Sequence, residues 1–201
     1  MTVTRDATRE KILVAAETVF ADNGYHDALI DEIGRRTSVS KGGIYFHFPS
    51  KEDLFFSVLD RLADRLVSKA ESVTVPSDSP LERAQAALDS VLVSLAKRRR
   101  LARLLMVQGY SMGNSFERKR AQIFDRFADV IRHHLDAALA QGEIRPVDTA
   151  LAARVWLGAV NEVIIHWLYA GGPSPIESLP DIRRMLVGTV SAGRGLRESS
   201  T

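Results

Sequence analysis

The sequence predicts an all-α protein, and three observations carry that expectation. Apolar residues recur at helical spacing in one segment after another, and serine caps followed by acids mark helix starts. No alternating strand pattern bounded by hairpin turns occurs in the 201 residues, and no internal repeat is visible.

The first helix is expected from about Thr8 to Asn23, with Ile12, Leu13, Ala16, Val19 and Phe20 on one stripe and Asn23-Gly24 as its stop. A second runs from about Leu29 to Arg36 with Ile30 and Ile33 inward, and Thr37-Ser38-Val39 forms a turn. Ser40 caps a short third helix, with Val39 before the cap and Ile44 at the fourth helical position making a hydrophobic staple. Pro49 cannot continue a helix, and Ser50-Lys51-Glu52-Asp53 opens a long fourth one that reaches about Val73. Thr74 to Ser79 is a linker. Ser79-Pro80-Leu81-Glu82 then combines a cap, a proline at the first helical position and a capping acid. Further helices are expected near Leu81 to Leu95, Arg98 to Gln108, Ser115 to Gln141, Asp148 to Tyr169 and Leu179 to Ala192. Their breaks fall at Gly109 to Asn114, Gly142 to Val147 and Gly171 to Ser178.

Bulk properties close off several function classes. With 45% hydrophobic and 26% charged residues, and no apolar run near the roughly 18 residues of a membrane span, the chain reads as soluble and not membrane-bound. Charges precede any apolar core between Met1 and Arg9, unlike a signal peptide, so a cytoplasmic location is expected. Without cysteine there is no disulfide framework, thiolate zinc site or thiol switch. No HExxH, P-loop or GxSxG pattern is present, and the adjacent His133 and His134 point in different directions on a helix. No enzyme, metal site or cofactor is therefore expected.

Charge distribution says more than the net +2. From Met1 to Gly34 seven acids (Asp6, Glu10, Glu17, Asp22, Asp27, Asp31, Glu32) face three bases (Arg5, Arg9, Lys11), a local −4. From Arg35 to Lys51 there are four bases (Arg35, Arg36, Lys41, Lys51) and no acid, a local +4 over the second and third helices. A helix, a tight turn and a second helix suit the DNA major groove, because a helix fits that groove and its first residues reach base edges. On the third helix Ile44 and Phe48 share the inward side, while Gly42, Gly43, Tyr45 and Phe46 face away. Two adjacent glycines disfavour a helix by up to about 1 kcal/mol each, which points to a close approach of another backbone, such as DNA phosphates. Free N–H groups at the fourth helix's start, beside Lys51, suit a phosphate oxygen.

The stretch SVSKGGIYFHFPSKEDLF, within Arg9 to Phe56, resembles the TetR family of transcriptional regulators. The resemblance implies that Lys41, Gly42, Gly43 and Phe46 lie at base edges and that Tyr45, His47 and Lys51 hold phosphates, with Arg36 and Ser40 completing the DNA-binding set. This chain departs from the pattern at Ala28 and Leu29, where a hydroxyl is common and Asp27 offers a substitute cap, and at Ser38 and Gly43, where glycine and threonine are common.

The resemblance further implies a homodimer on a palindromic double-stranded DNA operator, with residues 1–50 reading DNA and 51–201 forming a helical effector-binding and dimerisation domain. A repressor released by a small hydrophobic or amphipathic effector, an acyl-CoA among the options, is the expected mode. The last two helices carry Trp156, Val160, Ile164, Trp167, Ile182, Met185, Leu186 and Val190, apolar surface for a dimer contact or for ordinary core packing. Candidate pocket residues are Arg103, Leu104, Met106, Tyr110, Phe127, Trp156, Asn161 and His166, an apolar set with a few polar anchors. The basic run Lys97-Arg98-Arg99-Arg100, with Arg103, is either a solvated face or a place for an anionic head group such as a coenzyme A phosphate. Two rivals stand beside this reading: an effector-blind DNA-binding dimer and an all-helical enzyme.

Overall fold

A computed structural model describes residues 2–77, 79–107 and 112–191. Among them nine helices follow in order: α1 Thr2–Asp27, α2 Ile30–Thr37, α3 Lys41–His47, α4 Lys51–Glu71, α5 Pro80–Ala96, α6 Arg99–Met106, α7 Asn114–Ala140, α8 Thr149–Ala170 and α9 Leu179–Val190. The all-α expectation holds.

Helix α1 corrects its expected bounds. It begins at Thr2, ahead of the apolar stripe, because Thr2 to Thr8 hold no helix breaker. The Asn23-Gly24 stop is real but local: Gly24 sits at φ 78°, ψ 179°, and the chain turns helical again to Asp27. Helix α2 starts from Leu29, which is extended and donates no side-chain cap. Asp27 does not replace the missing hydroxyl, since it lies inside the end of α1; Asp31 and Glu32 in the first turn of α2 complement its N-terminal dipole instead.

The α2–α3 turn is built by three residues. Gly34 lets the chain pass, because a Cβ there would stand 2.8 Å from the Val39 carbonyl oxygen. Ser38 takes the left-handed conformation, φ 57° and ψ 32°, and its N–H and that of Val39 both reach the Gly34 carbonyl. Thr37 is buried and donates its hydroxyl to Ile33 O at 2.8 Å. Ser40 caps α3 as expected, accepting from Gly43 N at 3.1 Å, and Ser50 both accepts from Asp53 N at 3.0 Å and donates to Asp53 Oδ2 at 2.7 Å.

The described residues fall into two compact units. The first takes Met1–Arg65 and Arg98–Ile123, the second Leu66–Lys97 and Phe124–Thr201, so α4 and α7 each contribute to both. In the first, α1 packs on α2 and α6, and Phe20, Tyr25 and Phe55 form an aromatic core with centroids about 5 to 6 Å apart. Arg61 and Arg65 of α4 grip Glu17 of α1 at 2.8 Å, and Arg61 also takes Glu10.

In the second unit α8 packs on α5 and α9. Ser79 caps α5, accepting from Glu82 N at 3.2 Å, and Glu143 takes up Ser79 Oγ and Leu81 N. The structure corrects most of the dimer-contact set: Trp156, Val160, Ile164, Ile182, Leu186 and Val190 are buried within this one chain. Trp156 is wholly enclosed and donates Nε1–H to Thr189 Oγ1 at 3.0 Å. The core-packing alternative is the right one for those six, whereas Trp167 is half-buried and Met185 is 72% exposed. The outward stripe of α8 consists instead of Leu151, Val155, Ala159 and Tyr169. No helix among the described residues is long and apolar enough to cross a membrane.

Candidate DNA interface

Helix α3 presents the face that its sequence promised. Ile44 and Phe48 anchor it in the core, while Tyr45 is exposed and Phe46 is 68% exposed, a large apolar ring facing outward beside Lys41 and Gly42. The two glycines differ. A Cβ on Gly42 would meet nothing within 4 Å, whereas one on Gly43 would stand 2.8 Å from Val39 Cγ1 and 3.3 Å from Ser40 Oγ. Gly43 therefore has an internal reason to be glycine in the packing of the turn, and only Gly42 is left to an external approach.

The cations of this face are held by neighbours. Arg36 pairs with Glu32 one turn back at 2.7 Å, and Lys41 Nζ lies 3.6 Å from Asp31 Oδ1. Lys51 donates to the His26 carbonyl at 2.8 Å, with its ammonium 5.0 Å from the Tyr25 ring centroid. Burial pulls the Lys51 pKa down against the opposing pull of Asp27, and burial pushes the Tyr25 hydroxyl up with Glu52 adding to it. Lys51 thus closes the carboxyl end of α1 as well as standing at the start of α4. His47 is half-buried, its ring edge-on to Phe46 at 5.4 Å.

Two residues that sequence reading passed over belong to this region. Because α1 starts early, Arg5 lies 5.1 Å from the Phe46 ring centroid and Arg9 lies 4.9 Å from that of Phe48. Their signal in the sequence was two arginines four apart, which share one helix face only if the helix is already formed at Arg5.

The ligand-pocket candidates are divided between the two compact units. Arg103, Leu104 and Met106 lie in the first unit, with Arg103 exposed and the other two buried; Phe127, Trp156, Asn161 and His166 lie in the second; Tyr110 lies outside the described residues. His166 is exposed. It lines a cavity of about 410 Å³ with Glu162, Val163, Trp167, Gly171, Pro173 and Ser178. Asn161 Oδ1 is buried without a hydrogen-bond partner. The run Lys97 to Arg100 is exposed, and Arg100 pairs with Asp22 at 2.6 Å.

A capped, sharply turned helix pair with an outward aromatic and cationic face is the architecture of a helix-turn-helix DNA reader. The family model of bacterial regulatory proteins of the TetR family matches residues 12–58, and that of the tetracyclin repressor-like C-terminal domain matches residues 77–188. The chain belongs to the TetR family and is a DNA-binding transcriptional regulator. It is 42% identical over 86 residues to the HTH-type transcriptional activator FasR of Mycolicibacterium smegmatis, a match spanning 43% of this chain and 39% of that protein. To the fatty acid metabolism regulator protein of Bacillus subtilis it is 23% identical over 159 residues, 79% of this chain and 82% of that one. Its fold matches the crystal structure of the transcriptional regulator FadR from Bacillus subtilis in complex with stearoyl-CoA, with TM-score 0.79 and 22% identity over 89% of this chain and 97% of that one. The FasR and FadR proteins are regulators of transcription.

Proposed function

We propose that this regulator is a homodimeric repressor that occupies a palindromic operator and leaves it when a hydrophobic or amphipathic effector binds. The observation that carries the DNA half is the outward face of α3, where Phe46 is exposed beside an open Gly42 and Lys41. In this reading Lys41, Gly42 and Phe46 meet base edges, and Phe46 suits a thymine methyl. Tyr45, His47 and Lys51 hold phosphates, and Arg36 adds charge once Glu32 releases it. Ser40 orients α3 as its cap, and Gly43 serves the turn.

The effector half is supported by the orphaned Asn161 oxygen as a polar anchor and by the fatty acid metabolism regulator among the relatives. An acyl-CoA is the effector class we assign, because a long apolar tail suits the apolar helices of the second unit and a fatty acid metabolism regulator stands among the relatives. The proposed domain roles are DNA reading for residues 1–50 and effector binding with dimerisation for 51–201. The dimer contact uses Leu151, Val155, Ala159 and Met185, the apolar residues that α8 and α9 leave outside.

A gel shift with DNA flanking the protein's own coding region, at two salt levels and with or without palmitoyl-CoA, tests this. Tight binding that weakens steeply with salt and is released by the acyl-CoA supports the whole reading. Binding untouched by the acyl-CoA removes the effector assignment, and affinity equal to that for random DNA removes the repressor.

A further inference from the structure

Arg9 and Arg5 stack on two very different rings. Phe48 under Arg9 is a core residue, so that contact covers buried surface; Phe46 under Arg5 is exposed on the outward face of α3. Of the cations proposed for the DNA face, Arg36 is bound to Glu32, Lys41 faces Asp31, and Lys51 is bonded to the His26 carbonyl. Among the described residues no carboxylate pairs with Arg5, whose side chain is exposed. A guanidinium lying on a ring uses its face for the stack and keeps its in-plane N–H donors open, and that planar fork matches a phosphate.

We propose that Arg5 is a DNA-contacting residue, donating to a backbone phosphate next to the bases that Phe46 meets, with the Phe46 ring holding the guanidinium in position. This rests on the DNA-binding reading above. It gives the first turns of α1 a part in binding that the helix-turn-helix alone does not supply.

The test uses the full chain and a fluorescent 30-base-pair duplex of random sequence, titrated by anisotropy across a salt series, with thermal melts of every variant. Arg5→Ala is expected to weaken binding roughly tenfold at low salt and to flatten the slope of log affinity against log salt by about 0.9 for each bound head. Arg5→Lys keeps the slope, because charge sets it, and neither variant changes the melting temperature. Should the alanine variant melt early, Arg5→Gln takes its place. A wild-type slope in the uncharged variant, or a slope lost equally by Arg5→Lys, overturns the inference. Wild-type protein that binds without salt dependence overturns instead the DNA-binding reading beneath it.

Discussion

Ser38 carries the tightest local demand in the reading head, being the one non-glycine residue with positive φ among those described. An L-residue there crowds its Cβ against the following carbonyl, so Ser38→Gly is expected to stabilise the chain by roughly 0.5 to 1 kcal/mol in urea unfolding. Gly34→Ala acts in the opposite sense: its Cβ has a backbone oxygen 2.8 Å away, and a loss of about 1 to 3 kcal/mol is expected. Gly42→Ala separates stability from function. With open space around it, the alanine gains up to about 1 kcal/mol of helix propensity while DNA affinity falls; a variant that bound DNA as well as wild type would remove Gly42 from the interface. Caps were legible at this scale, because Ser40 and Ser50 bond within three residues of themselves. The need for Gly34 was not, since the oxygen it avoids arrives only after the turn has formed.

Between elements, side chains far apart in sequence do the holding, and spacing rules say little about them. Glu17 of α1 is the shared acceptor for Arg61 and Arg65 of α4 and is largely shielded from solvent. Glu17→Gln is expected to lower stability by about 1 to 2 kcal/mol at low salt and by less at high salt, where screening already weakens the pair. On α5, burial pushes the Asp89 carboxyl above its usual range while the hydrogen bond and charge of Arg183 on α9 pull it down; the net shift is upward. A carboxyl whose folded pKa exceeds its unfolded value contributes fully below the unfolded value and loses that contribution as pH rises through the folded one. Melting temperatures of Asp89→Asn and wild type compared from about pH 4 to 7 should therefore shift in the variant's favour as pH rises; a constant difference would contradict the assignment. Helix α8 shows why the sequence left dimer contact and core packing open. Its apolar residues were identified correctly, but spacing alone cannot say whether the helix they meet, here α5 or α9, belongs to the same chain.

At the scale of the whole molecule, α4 and α7 are the continuous helices that belong to both compact units, so a change at the effector-binding end has a covalent route to the reading head. The fold class was legible throughout, because helix periodicity and caps repeat along the entire chain. The effector site was not, because an apolar residue lining a pocket and one filling a core obey the same spacing, and Leu104 and Met106 are buried as either role requires. The most direct test of the central claim, that α3 reads DNA through the major groove, is dimethyl sulfate protection of guanine N7 on a duplex selected from a random pool by the full-length protein. Two patches of N7 protection, one helical turn or a multiple apart and lost in Lys41→Ala, are expected. Bound DNA with every major-groove N7 still reactive would contradict it.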